Sequence, residues 1–275
     1  LALMRKHGLL QIPVVDDEHR VVGLETLSDM TNEMTYSNAV FIMAGGFGTR
    51  LRPMTLQQPK PMLSLGERPL LESIIKNFIH HGFRRFYISV HYLAEQIIEF
   101  FGDGAELGVE IRYVRESKPL GTAGALSLLP EEALMHPVII MNGDILTKVN
   151  FEHLLRFHES HKEAIATMCV RKYDFQVPFG VVDSKSQIIT KITEKPVQKM
   201  FVNAGIYVLS PDLIRSIERE KFVNMPTLLQ RSIDLNEQVL MFPIHEYWVD
   251  IGCVDDFQQA KTDFHEHFIS EVESR

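Results

Sequence analysis

Between residues 38 and 141 the chain alternates short apolar runs with amphipathic stretches, and this alternation constrains the fold more than any other feature. Residues 39–43 form a continuous apolar run of strand length. The spacing predicts a helix over 70–81, with Leu71, Ile74, Ile75, Phe78 and Ile79 on one side. A strand over 85–90, a helix over 93–101, a strand over 110–114, a helix over 122–129 and a buried strand over 137–141 follow. Strands separated by helices pair in parallel, because each helix carries the chain back across the sheet. The expected fold class is α/β, a mainly parallel sheet with helices on both faces. Ligands of such sheets gather at the carboxyl ends of the strands.

The second half is more mixed. A helix over 151–161 precedes strands over 164–170, 180–183, 188–192 and 201–209. Helices near 212–217 and 226–235, a strand over 239–242 and a last helix from 254 towards 267 complete it. This half is expected to extend the sheet and supply an acceptor pocket. Residues 1–34 read as a separate small unit: a helical start, strands at 12–15 and 20–24 around an Asp16-Asp17 turn, and a helix opening near Thr26. So short a unit cannot bury a core alone. The chain starts at Leu1 without Met, which fits a domain whose beginning lies upstream. The expected domains are therefore 1–34 and 35–275.

Composition excludes several functions. Hydrophobic residues make up 45% and charged residues 23%, a globular balance. No apolar run reaches the ~18 residues of a membrane helix. Arg5, Lys6 and His7 break the first apolar stretch, which excludes a secretory signal there. The formal net charge of -8 disfavours nucleic acid as a partner. Cys169 and Cys253 lack metal-type spacing and point to a reduced, cytoplasmic setting. The twelve histidines form no metal set, and His153, His158 and His161 are expected to be solvated on a polar helix. The oligomeric state is open, a homo-oligomer included.

The chemistry is concentrated after the first strand of the larger unit. Ala44-Gly45-Gly46-Phe47-Gly48-Thr49-Arg50-Leu51-Arg52-Pro53 combines turn glycines with two forked cations. Glycines bring backbone N–H groups close to an anion, and arginines match phosphate oxygens. Pro59-Lys60-Pro61-Met62 fixes one lysine nearby. Together they describe a triphosphate cradle. A dinucleotide fingerprint would need glycine at Leu51, and a P-loop would need Gly-Lys-Ser/Thr. Asn142-Gly143-Asp144 ends the strand at 137–141, where a carboxylate suits a metal. Glu116 can only accept hydrogen bonds. Guanine offers two adjacent donors, and thymine or uracil one, so a carboxylate held against a base would favour guanine.

Gly45-Gly46-x-Gly48-Thr49-Arg50-Leu51-x-Pro53-x-Thr55 with Pro59-Lys60-Pro61-Met62 resembles the signature of the sugar-nucleotide pyrophosphorylases, the sugar-phosphate nucleotidyltransferases. The resemblance runs from about residue 38 to 260. It implies a Rossmann-like sheet of the nucleotide-diphospho-sugar transferase type. It also implies transfer of a nucleoside monophosphate from NTP to a sugar 1-phosphate, with release of pyrophosphate. By the resemblance, Gly45, Gly46, Gly48 and Thr49 hold the nucleotide, Gly121 and Thr122 the nucleoside, and Glu116 the base, where its carboxylate would favour GTP. Arg50 and Lys60 would act on the phosphates as catalytic residues. Asp144 and Asp250, the latter in Trp248-Val249-Asp250-Ile251-Gly252, would bind catalytic Mg²⁺. Gly180, Glu194, Lys195 and Asn203 would serve the sugar phosphate. Free N–H groups are expected where the 122–129 helix starts. Pro13-Val14-Val15-Asp16 and Val22-Gly23-Leu24-Glu25-Thr26-x-x-Asp29 resemble the end of a CBS domain, a module that binds adenine nucleotides when paired. A CBS module fused to such a domain resembles the guanylyltransferases that act on glucosamine 1-phosphate, which turns the acceptor reading towards that sugar, with mannose 1-phosphate the other acceptor. A non-catalytic sugar-nucleotide sensor and a transferase acting on phosphocholine are the alternatives.

Overall fold

The computed structural model describes residues 9, 11–15, 20–26, 35–264 and 268. The chain divides into two compact units, Leu1–Ser37 and Asn38–Arg275. In the first, β1 (Gln11–Val15) pairs antiparallel with β2 (Val21–Thr26), with Ile12 opposite Glu25. The helical start, the helix expected after Thr26, and Asp16 and Asp29 lie outside the described residues.

The second unit is built around a seven-stranded sheet. Its first strand is β3 (Tyr36–Met43), followed by the two-residue hairpin of β4 (Ser64–Leu65) and β5 (Arg68–Pro69) and by α1 (Leu70–His80). Next come β6 (Phe83–Val90), α2 (Ala94–Phe101), β7 (Glu110–Arg115), the short α3 (Gly121–Gly124), β8 (Val138–Asn142) and β9 (Ile145–Thr147). Then follow α4 (Phe151–Ser160), β10 (Ala164–Gln176), β11 (Val181–Lys185), β12 (Ile188–Thr193) and β13 (Val197–Leu209). The chain continues through α5 (Pro211–Arg215), α6 (Met225–Asp234), β14 (Gln238–Ile244), β15 (Trp248–Asp250) and α7 (Val254–Phe264).

The main sheet has the order β14-β10-β13-β8-β3-β6-β7. β3 pairs in parallel with β8, β6 with β7, and β10 with β14, while β13 runs against both its neighbours. Strands β3 and β8 are buried along their apolar lengths because helices cover both faces. On one face Phe78 of α1 stacks on Phe151 of α4 at a centroid distance of 3.7 Å. On the other, Leu126, Leu213 and Leu228 pack against Phe41 and Ile140. Each such side chain contributes about 1.5–3 kcal/mol on burial.

Three expectations need correction. The helix expected over 122–129 is helical only through Gly124 and tightens to a 3-10 turn over Ala125–Leu128. The strands expected at 164–170 and 201–209 run further, as β10 and β13 pair from Ala166↔Leu209 to Gln176↔Val197. Beyond Val170 that ribbon is largely exposed and holds the β11–β12 hairpin. Backbone pairing continues there without the burial that would mark it in the sequence.

Finally, His158 is buried, contrary to its expected solvation. Phe151, Leu154, Leu155 and His158 share the inner face of α4 at helical spacing. His158 Nδ1 lies 2.9 Å from Thr167 Oγ1. Burial pushes its imidazole down to about 4, and His161 adds to the shift. A lowered folded value means the neutral ring supports the fold above the unfolded value of ~6.5. That support is lost as pH falls through about 4. His158→Gln, which keeps a partner for Thr167, should flatten the fall in melting temperature between those limits. An unchanged slope would contradict this.

Among the described residues, no helix is long and apolar enough to cross a membrane.

Candidate active site

Strands β3 and β8 are neighbours, with Met43 opposite Asn142. From β3 the chain builds towards β7, then returns to β8 on the other side. The loops after β3 and β8 therefore diverge, and they open a cleft at the point where the strand order reverses. Gly143 holds the loops together: its N–H donates to the Met43 carbonyl at 2.9 Å. A Cβ on Gly143 would lie 2.7 Å from that oxygen, so only glycine fits.

The glycine turn after β3 is shaped by Gly48, whose φ of 61° is left-handed. Its carbonyl accepts from Thr55 Oγ1 at 2.7 Å and from the Leu51 N–H at 3.0 Å. A Cβ there would lie 3.0 Å from Thr55 Cγ2 and 3.3 Å from Lys60 Cβ. The turn is thereby packed onto the Pro59-Lys60-Pro61 segment. Lys60 is buried, and its Nζ contacts Asp144 Oδ2 at 2.5 Å. Asp144 Oδ1 is buried and has no hydrogen-bond partner.

Asp250 reaches the same place through a second strand pair. β15 pairs antiparallel with β9, with Asp250 opposite Ile145, and the Ile251 N–H donates to the Asp144 carbonyl at 3.0 Å. Burial pushes the Asp250 carboxyl above its usual range, and Asp144 pushes it the same way. Lys60 and Arg50 pull it back. Arg50 lies against the following turn, since a Cβ on Gly252 would be 3.5 Å from its Nη1. Arg50, Lys60 and Asp144 line one half of a cleft, and all three act on the charge of Asp250 behind it.

The cleft has two adjoining halves. One, about 300 Å³, is lined by Gly46 to Leu51, Lys60, Asp144 and Gly252. The other, about 320 Å³, includes Gly45, Glu116, Gly121, Thr122, Asn142 and Asp144. Volume alone does not mark the site, because a larger cavity of about 440 Å³ lies against α5 and α6, away from these charges. Glu116 is fixed in place: its Oε2 accepts from the Leu120 N–H at 3.0 Å, and its carbonyl oxygen lies 2.8 Å from His91 Nδ1. Phe47 lines both halves and meets His91 edge-on at 5.4 Å.

The free N–H groups expected at α3 are occupied. Val223 O accepts from Ala123 and Gly124 at 2.9 and 3.1 Å, and Asn224 Oδ1 accepts from Thr122 at 3.4 Å. The small residues there serve close packing. Gly121 and Thr122 still line the cleft, joined by Phe222 and Asn224 from a loop some hundred residues away that carries no motif.

Among the described residues, no group of three or more His, Cys, Asp or Glu could hold a metal. Asp144 and Asp250 instead fit an ion that takes its remaining ligands from phosphate and water, as Mg²⁺ does. The unpartnered Asp144 oxygen suits that role.

The family model described as nucleotidyl transferase matches residues 39–267. The chain belongs to the nucleotidyl transferase family. Among its relatives, the probable mannose-1-phosphate guanylyltransferase 1 of Oryza sativa subsp. japonica is 33% identical over 230 residues. That match covers 78% of this chain and 62% of the relative. The mannose-1-phosphate guanyltransferase of Yarrowia lipolytica is 35% identical over 231 residues, covering 78% and 61%. The chain thus spans less than two thirds of these relatives' length. Among solved structures, HddC from Yersinia pseudotuberculosis in complex with GMP-PN superposes with a TM-score of 0.65 at 26% identity, covering 82% of this chain and 99% of that one. A putative glucose-1-phosphate thymidylyltransferase from Bacillus anthracis has the same fold, with a TM-score of 0.66 at 22% identity, covering 82% and 94%.

In this family member the four residues expected at the sugar phosphate do not line either half of the cleft, and neither does Asp250. Gly180, Glu194 and Lys195 lie in the exposed ribbon, where Glu194 packs on Gly180. Asn203 sits where the ribbon joins the sheet. Its side-chain amide donates to the Tyr207 hydroxyl at 2.7 Å, and its oxygen accepts from the Gly205 N–H at 2.9 Å. Trp248 Nε1 donates to the Ala204 carbonyl at 2.8 Å, tying that junction to the strand that carries Asp250. Nothing in the sequence of Trp248 announced this link.

Proposed function

We propose that the chain transfers a guanylyl group from GTP to a sugar 1-phosphate. Mannose 1-phosphate is the favoured acceptor, supported by the names of the relatives. A phosphate oxygen of the sugar 1-phosphate attacks the α-phosphorus in line. The bond from that phosphorus to its bridging oxygen breaks, and pyrophosphate leaves. The attacking phosphate is already ionised, so no general base and no covalent enzyme intermediate are needed. The chain's work is positioning and charge neutralisation.

The observation that carries this reading is the contact of buried Lys60 with Asp144, whose other oxygen is unpartnered, beside Asp250 and Arg50. In this reading Lys60 and Arg50 neutralise the departing pyrophosphate. The backbone of Gly45, Gly46, Gly48 and Thr49 cradles the phosphates. Asp144 and Asp250 hold Mg²⁺, which supplies Lewis-acid charge to phosphate oxygens when bound. Glu116 takes N1–H and the 2-amino group of guanine, and Gly121 and Thr122 wall the nucleoside. Gly180, Glu194, Lys195 and Asn203 reach the sugar phosphate if the exposed ribbon folds towards the cleft on binding. The hairpin of β1 and β2 is read as part of a CBS domain, for adenine nucleotide when complete, appended to a nucleotidyltransferase domain from residue 35.

Pyrophosphate release from GTP, UTP, CTP and dTTP, each against mannose, glucosamine and glucose 1-phosphates, tests the reading. GTP should lead by at least about tenfold in kcat/KM. Glu116→Gln should cut that preference by roughly 10–100-fold, the range expected when a bidentate acceptor becomes half donor. A wild-type preference for UTP or dTTP would overturn the role of Glu116.

A further inference from the structure

A cavity of about 410 Å³ opens beside edge strand β7, and none of its lining residues lines either half of the cleft. Its lining carries three guanidinium groups, Arg112, Arg115 and Arg219, against one carboxylate, Glu220. Two of the arginines are held in place: Arg115 by Glu95 at 2.7 and 3.1 Å, and Arg112 by Glu110 and Glu132. Arg219 has no ion pair or hydrogen bond to any described residue and is exposed. Tyr87 also lines the cavity. Its ring belongs to the hydrophobic core and is only 3% exposed, yet its buried hydroxyl has no hydrogen-bond partner. A buried hydroxyl left unpartnered is costly and uncommon, so it points to a partner supplied from outside.

We propose that this cavity is a second ligand site, distinct from the cleft, for a small hydroxylated phosphate monoester. Guanidinium forks match phosphate oxygens, and the Tyr87 hydroxyl completes the donor set. Glu220 accepts from hydroxyls of the ligand body, while Val114 and Leu128 face its carbon skeleton. The volume is that of a small-metabolite site. The site adjoins nucleotide recognition, since Arg115 and Ser117 flank Glu116 and Arg219 lies three residues from Phe222.

Calorimetric titration of the full chain with glucose 6-phosphate tests this, because that ester lacks the 1-phosphate of an acceptor. One equivalent should bind. Arg219→Ala should weaken binding at least tenfold and Tyr87→Phe at least threefold, with Arg50→Ala without effect. Tyr87→Phe should melt no lower than wild type, since it removes only the unpartnered hydroxyl. Inorganic phosphate should bind at least tenfold more weakly. The proposal is overturned if no binding is seen, if either cavity variant binds as tightly as wild type, if binding is lost in Arg50→Ala, or if inorganic phosphate binds as tightly as the ester. These outcomes are independent of whether the cleft transfers guanylyl groups.

Discussion

Asp144→Ala is expected to lower nucleotidyl transfer roughly 1,000-fold or more while leaving the far-ultraviolet circular dichroism unchanged. The size follows from what one side chain does. Oδ2 anchors the Lys60 ammonium at 2.5 Å, and Oδ1 is the unpartnered oxygen that the proposed metal would take. Removing both leaves Asp250 as the lone carboxylate of the pair. Asp250 would also titrate closer to the ordinary carboxylate range, because the repulsion from Asp144 is gone. The fold should survive, since the strand pairing of β9 with β15 uses backbone groups and Asp144 lies outside the core cluster. Rates of pyrophosphate release under saturating GTP and Mg²⁺ measure the effect. Activity within tenfold of wild type would remove Asp144 from the mechanism.

Lys60→Ala should lower kcat by about 100–1,000-fold, the range for removing one preorganised donor from a developing anion. Two carboxylates would then face each other with Arg50 as the remaining cation acting on Asp250. The Asp250 carboxyl should rise further, so the requirement for Mg²⁺ should shift to higher pH and higher concentration. Lys60→Arg should not rescue turnover. The Lys60 Cβ lies against Gly48, Pro59 and Pro61 frame the residue, and the wider guanidinium fork needs room that the buried position lacks. Rescue by arginine to within tenfold would show that charge alone, and not this placement, is what the reaction needs.

Much of this arrangement was legible beforehand, for identifiable reasons. The parallel sheet could be read because burial on both faces makes runs such as 39–43 and 137–141 continuously apolar. The glycine turn and its packing on Lys60 could be read because a left-handed Gly48 and a proline-framed Lys60 leave fixed residue types in the chain. His158 was misread because three histidines on one helix look polar as a set. Only the facing pattern with Phe151, Leu154 and Leu155 separates it from the others. The shortness of α3 was not legible, and neither was the Val223 carbonyl from a distant loop that takes the N–H groups at its start. Phe222 and Asn224 were missed for the same reason, as no local spacing records a contact made across some hundred residues. The exposed ribbon of β10 and β13 escaped because its strands alternate against solvent on both sides, where the sequence is unconstrained by burial.

In the proposed reaction Asp144 and Asp250 would hold one metal ion on the triphosphate seated over the glycine turn. A crystal grown with a non-hydrolysable GTP analogue and Mn²⁺, measured for anomalous scattering, tests it directly. One peak is expected, at about 2.1 Å from a carboxylate oxygen of each aspartate and bonded to an α-phosphate oxygen. Nucleotide bound in the cleft with its metal touching neither carboxylate would contradict it.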